Sequence, residues 1–432
     1  MRMRGRPLDR AEREKLRPQL ASRAWSDVYK SYVDAWFDRS FFNRLGAARA
    51  RAGNGSQALF MGELRTFKDP TGADVFYHPA IEGENRSSCA SSQPVQVIPW
   101  WDTTTTVRVC PNSYRPEKAF DTVGYCGGRS ELPTKQSPRP NCGCGPLLLA
   151  CLPPSSDELI AHFDSSNAAE VANTFAEVID RGRPFSEVFT TSTTWQDGYV
   201  QFLYRRRDAL SLLANEPYSK NTETKIVKML SAPLSAPGRW VDRKGVYSGS
   251  GLFLTTPLIQ VSFPTYRTVV RAFLQNAACI TLVGVNVDSA SLLEGVGKQH
   301  GDLRLFEINE SPMRTTTGCS GCHAPMDNAA GFLLGMKTPL FGDVLTGKKA
   351  VGQLYLKGAN DLRGAGEGFS GLTSLMVAQP EYRTCAVTGL AGSVGVALDE
   401  DEIPRVAESF RADKENAKNL LRKLLMRSVA TK

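Results

Sequence analysis

The run Cys319-Ser320-Gly321-Cys322-His323 has the C-x-x-C-H spacing. Two thiols at that separation can add across the vinyl groups of a haem, and the adjacent imidazole can reach the iron. The two intervening residues let one tight helical turn present both sulfurs to a single porphyrin edge. With 10 Cys and 4 His in 432 residues, such a run arises by chance roughly 0.002 times per chain of this composition. The spacing therefore predicts one covalently attached haem c, with Cys319 and Cys322 as tethers and His323 as proximal iron ligand. A zinc or thiol-redox C-x-x-C, or an inert disulfide pair, are the weaker readings of the same residues.

What lies opposite His323 decides the chemistry. A thioether or imidazole there makes a six-coordinate electron carrier, whereas an open face admits peroxide or small ligands. Met326 lies one helical turn past His323, on the proximal side, and cannot reach across the ring. Met336 is close in sequence and awkward to place. Met376 has the separation of small single-haem cytochromes and is the preferred distal ligand, ahead of His78 and His300. The competing role for Met376 is to fill a gap in an apolar core.

Other chemistry finds little support. The chain has no G-x-S-x-G and no phosphate loop, and four histidines leave little material for a catalytic network. A single C-x-x-C-H also argues against a dihaem peroxidase. Electron transfer to an unidentified redox partner is the leading expectation, and a haem-dependent oxidoreductase of unknown substrate is an alternative.

Composition sets broad limits. Hydrophobic residues are 41% and charged residues 22%, ordinary for a water-soluble globular chain. No apolar stretch approaches the ~20 residues of a transmembrane helix. The net charge of +8 is scattered. The N-terminal Arg2, Arg4, Arg6, Arg10, Arg13 and Arg17 lack interleaved aromatics, so they read as solvated helix faces and not as a nucleic-acid surface. Ten cysteines and a c-type haem point to an oxidising compartment, the periplasm or cell envelope. Met1 to Lys15 shows no apolar signal core, which the location accommodates if the start is truncated or was assigned too late.

The elements that must position the motif read as mainly α and multidomain. Helical bundle segments, a Cys-rich irregular or β insert and a cytochrome-c-like C-terminal region make up the expected architecture. The divisions fall at 1–51 (two helices within 7–45, the second with Trp25, Val28, Tyr29, Tyr32, Val33, Trp36 and Phe37 in a stripe), 52–155 (the insert), 156–225 (helical), 226–340 (carrying the haem motif) and 341–432 (helical). In 156–225 the periodicity gives helices over about 156–183 and from Trp195 to Leu212, with no visible chemistry; His162 reads as a surface residue. Residues 214–262 read as a polar connector, Tyr266–Ala278 as a helix ended by Cys279, and the chain closes with helices near 402–411 and 413–429.

The insert holds Cys89, Cys110, Cys126, Cys142, Cys144 and Cys151 among dense Gly, Pro, Ser and Thr. It looks too poor in apolar residues to hold itself by burial, so disulfides are expected; a metal site from Cys126, Cys142, Cys144 and Cys151 is the alternative. Val95–Ile98 and Thr105–Val109 read as strands of a hairpin. Trp100 and Trp101 could stack on a glycan, although packing in a turn is the favoured role. A disulfide-rich envelope binding module with an auxiliary haem is thus a further functional alternative.

The stretch from Cys319 to Phe332 resembles a group of large cytochrome-c-like cell-envelope proteins, common in planctomycetes and myxobacteria and built from several domains of unknown function. Their late motif reads C-x-x-C-H-x-x-M-D-P-x-G-F. It is matched here at Cys319, Cys322, His323, Met326 and Asp327 and, one residue late, at Gly331 and Phe332; Asn328 replaces the usual Pro. Arg243–Tyr247 and Tyr266–Leu274 resemble the domain bearing that motif. Phe369–Leu375 with Cys385 and the closing helices resemble its C-terminal domain, and Glu177–Thr194 its upstream helical domain. The resemblance implies a haem protein of the envelope more firmly than any particular reaction.

Overall fold

The computed structural model describes residues 10–22, 24–50, 67–75, 77–79, 94–111, 145–149, 153, 157–244, 248–255, 266–280, 325–326, 328–333, 351–356 and 361–430. Among them helix dominates and the strands are short, so the chain is mainly α. None of these helices is long and apolar enough to cross a membrane.

The N-terminal region forms three helices where the periodicity predicts two: α1 (Arg10–Ser22), α2 (Trp25–Trp36) and α3 (Arg39–Ala50). The break after Trp36 has a local cause. The Asp38 carboxylate accepts from the Phe41 amide at 3.0 Å, capping α3. Phe37, just before that cap, packs on Phe42 at 5.0 Å between ring centroids. This is a capping aspartate with a hydrophobic staple around it. A continuous apolar stripe hides such a break because the residues before and after it are equally apolar.

Within the insert, β1 (Phe67–Lys68) pairs antiparallel with β2 (Asp74–Val75). The strands β3 (Tyr77–Pro79), β4 (Val95–Val97) and β5 (Val107–Pro111) form a sheet in the order β3-β5-β4. The expected hairpin is present, with Val95 opposite Val109. Its connection carries Asp102, which accepts from the Thr104 amide at 2.9 Å and the Thr104 hydroxyl at 2.7 Å. The insert also buries more apolar surface than its composition suggests. Phe67, Trp100, Leu147 and Leu149 are buried in one cluster with Phe163, Phe202, Leu210 and Ile226. A sparse segment can thus be stabilised by lodging a few large side chains in a neighbour's core.

The central scaffold runs α4 (Asp157–Asp180), α5 (Glu187–Thr190), β6 (Thr193–Gln196), α6 (Gly198–Asn215), α7 (Lys220–Leu230) and β7 (Arg239–Asp242). Trp195 is in β6, opposite Trp240 of β7, and not at a helix start. The helix begins after Asp197, whose carboxylate accepts from the Val200 amide at 3.0 Å. Helix α7 occupies part of the segment that reads as connector. Ser219 caps it by accepting from the Thr222 amide at 3.3 Å, and Ile226 and Leu230 are its buried residues alongside Thr222. Helices α3 and α4 pack closely: a Cβ on Gly46 would stand 2.7 Å from the Ala172 Cα.

Helix α8 (Tyr266–Ala278) ends at Cys279, whose φ of 54° takes the chain out of the helical register. A 3-10 turn spans Ala330–Leu333, followed by the antiparallel pair β8 (Val351–Tyr355) and β9 (Leu362–Glu367), then α9 (Gly368–Val377), α10 (Pro380–Ser393), α11 (Ile403–Ala412) and α12 (Ala417–Ala430). The last helix starts later than the periodicity predicts. Lys414 and Glu415 take positive φ, and the Asn416 side chain caps the new start by accepting from the Asn419 amide at 3.0 Å. One apolar cluster joins Val33 and Phe42 to Phe175, Phe253, Phe273, Phe332, Met376, Leu390, Phe410 and Leu421. The N-terminal helices, the scaffold and the C-terminal helices therefore share a core.

Candidate functional site

Cys319, Cys322 and His323 lie outside the described residues, as do Met336 and His300. So do the insert cysteines apart from Cys110, which stands opposite His78 in the pairing of β5 with β3. The structure does describe the segment that follows the motif. Pro325 and Met326 are buried; Asn328, Ala329, Gly331, Phe332 and Leu333 are buried too, with Phe332 fully enclosed.

Phe332 is held by glycines from three elements. A Cβ on Gly352 of β8 would stand 2.2 Å from the Phe332 ring, one on Gly366 of β9 3.3 Å, and one on Gly371 of α9 3.7 Å. Gly331 is pressed just as closely on β8, with a hypothetical Cβ 2.5 Å from the Val351 carbonyl oxygen. The chain leaving the C-x-x-C-H run is thereby seated in the β8–β9 pair and α9. Gly331 gives close backbone approach here and Phe332 fills the seat.

Met376 is fully buried in α9 and belongs to the same cluster as Met326, Ala329 and Phe332. Its complete burial in an apolar cluster is what the core-packing role of this side chain expects. Two cysteines, a histidine and a thioether are the donor types that a c-type haem takes. Among the described residues no group of three or more His, Cys, Asp or Glu is placed to hold a metal ion.

Among the described residues of the flank, Asn328 is the buried polar side chain. It is 5% exposed, and neither its Oδ1 nor its Nδ2 has a hydrogen-bond partner. An orphaned amide beside the attachment motif fits a site completed by a group with polar edges, since native cores seldom leave such atoms unpaired.

Two further features were not visible as chemistry in the sequence. Cys279 and Cys385 form a disulfide between the end of α8 and α10. Inside the scaffold, the Glu170 carboxylate accepts from the Thr194 hydroxyl at 2.9 Å and from the Tyr204 hydroxyl at 3.0 Å. Arg243 donates to the Tyr204 oxygen at 3.3 Å and to the Gly251 carbonyl at 2.5 Å. Burial pushes the Glu170 carboxyl up from its ordinary value, with Arg243 opposing, and burial likewise raises the Tyr204 hydroxyl, with Glu170 adding to the effect. The cluster ties α4, β6, α6 and the chain after β7 together. Its signal was a polar stripe at helical spacing, Asn167, Glu170, Thr174 and Glu177, on a face that is buried.

The remaining surface candidates resolve simply. His162 is half-exposed and stacks on Tyr199 with ring centroids 5.2 Å apart, as expected for a surface histidine. Trp100 is 4% exposed and packs on Phe202 at 4.5 Å, so its ring has no free face for a sugar; Trp101 is only partly buried. No family model matches the chain, and neither does any curated protein or solved structure.

Proposed function

We propose that this chain is a c-type monohaem protein of the bacterial cell envelope that transfers electrons, with a cytochrome-c-like C-terminal region. The observation that carries the reading is the Cys319-x-x-Cys322-His323 run together with the burial of Met326, Ala329, Phe332 and Leu333, shortly after it, in the shared core. A thiol pair on a loose surface loop has no need of such an anchorage. In this reading Cys319 and Cys322 would tether the group, and His323 and Met376 would be the iron ligands. The haem, when bound, supplies a one-electron redox centre. The protein's own contribution is to fix the motif through Phe332, to keep the surroundings apolar, and to carry the thioether on a helix packed against the seat. The Cys279–Cys385 disulfide supports an oxidising compartment, in keeping with the resemblance to envelope proteins.

A pyridine haemochrome assay on protein produced with the c-haem maturation machinery tests the reading. The expected result is one covalently bound haem per chain, lost when Cys319 and Cys322 are both replaced by Ala. A chain that matures without covalent haem overturns it.

A further inference from the structure

Gln201 and Arg205 stand one turn apart on α6, and Arg239 opens β7 opposite Gln196 of β6. The Gln201 Nε2 donates to the Gln196 carbonyl at 3.2 Å. That contact turns the amide so that its Oε1 faces two guanidiniums: Arg205 Nη2 donates to it at 2.9 Å and Arg239 Nη2 at 3.4 Å. Two cations thus share one neutral acceptor, on a glutamine only 7% exposed. Neither arginine has a carboxylate partner among the described residues, whereas Arg39 meets Glu177 and Arg363 meets Asp361 and Glu381. Arg205 is half-buried, and its Nη1 is enclosed without a hydrogen-bond partner. Burial, with the charge of Arg239 added to it, pushes the Arg205 guanidinium below its ordinary value.

We propose that Arg205 and Arg239 bind a phosphate group at this junction of α6 with β7. A partly desolvated cation beside a like charge is costly unless an anion joins it. The fold supplies no such anion here, so the missing charge is the ligand's. Guanidinium forks match phosphate oxygens. A phosphate monoester carries about −1.5 to −2 at pH 7, enough to balance both arginines, whereas a carboxylate balances one. Gln201 holds Arg205 in place. Arg239 is exposed at the start of its strand, and its long side chain is free to close over the bound group. A small phosphate ester and a lipid headgroup share this chemistry.

Isothermal titration calorimetry of the full-length protein with inorganic phosphate, at constant ionic strength, tests the site. One phosphate per chain is expected, with acetate bound more weakly. Arg239→Gln alters an exposed side chain and should weaken phosphate roughly ten- to a hundredfold, the loss of one charged donor. Gln201→Glu places a carboxylate between the two guanidiniums, so it should abolish phosphate binding without lowering the melting temperature. If that variant fails to fold, Arg239→Gln decides alone. No phosphate binding by wild type, acetate bound as tightly as phosphate, or binding that Arg239→Gln leaves unchanged overturns the proposal. Titration with glycerol 3-phosphate and flotation with phosphatidate vesicles separate the two sources. Binding to either that is lost in Arg239→Gln supports the site, and binding to neither overturns it.

Discussion

Cys279 and Cys385 are bonded across a sequence separation of 106 residues, with their Cα atoms 5.2 Å apart. The covalent ring so closed contains Cys319, Cys322, His323, Asn328, Phe332 and Met376. Every residue of the proposed haem site, and the seat around Phe332, therefore lies between the two half-cystines. Cross-linking a loop of this length restricts the unfolded chain and is worth up to about 4.7 kcal/mol in the chain-entropy model.

Reduction of that bond should lower the melting temperature of the wild-type protein. Cys279→Ser/Cys385→Ser should melt lower than wild type under oxidising conditions and should lose that part of the sensitivity to reductant. Cys279 is exposed and Cys385 buried, so reductant has access from one side. Equal melting temperatures for the double variant and the wild type would show that the staple contributes nothing.

Gly352→Ala should be disproportionately destabilising for so small a change. The new methyl would stand 2.2 Å from the Phe332 ring, and overpacking of this kind costs about 1–3 kcal/mol. On the haem reading, incorporation of the group should fall with it. Denaturant unfolding and haem content on the same preparation check both parts. Phe332→Leu should relieve part of the clash; a double variant no more stable than Gly352→Ala would argue against the seat.

The sequence was most legible where one period ran uninterrupted. Tyr266–Ala278 was bounded correctly because Cys279 leaves the helix at once, and β4–β5 was clear from two short β-branched runs. It was least legible where a single capping contact overrides periodicity, as at Asp38, Asp197 and Ser219. Trp195 illustrates the limit. Its aromatic neighbours suit a helix, but it pairs in a strand with Trp240 over Gly238, where a Cβ would fall 1.9 Å from the Trp195 ring. At the site, spacing alone drew attention to Cys319, Cys322, His323 and Met376. It could not reveal the seat for Phe332 or the disulfide, because both depend on residues far apart in the chain meeting in space.

Met376 separates two roles in one experiment. As distal ligand its thioether favours ferrous iron, so Met376→Ala should lower the reduction potential and let carbon monoxide bind the reduced protein. Its complete burial means the same change also removes core volume, at about 2–5 kcal/mol. Loss of stability with an unaltered haem spectrum and no carbon monoxide binding would leave Met376 as packing alone. Visible spectra and thermal melts of the variant give both readouts.

Glu170 makes stability depend on pH in a direction opposite to that of a typical salt-bridged carboxylate. Burial raises its carboxyl above the ordinary value, so the folded state keeps a proton that the unfolded chain has released. Stability from this group is therefore full below the unfolded value, about pH 4, and declines as pH rises through the window up to the raised folded value. Glu170→Gln keeps the oxygen that accepts from Thr194 and Tyr204 and removes the ionisation. Its stability should exceed that of wild type above the window, and the difference should vanish as pH is lowered. Glu170→Ala leaves both hydroxyls without their acceptor and should cost about 1–3 kcal/mol at every pH. Urea unfolding of the three proteins across pH makes the comparison. If wild type gains stability relative to Glu170→Gln as pH rises, the carboxylate is held charged by Arg243 and the assigned direction is wrong.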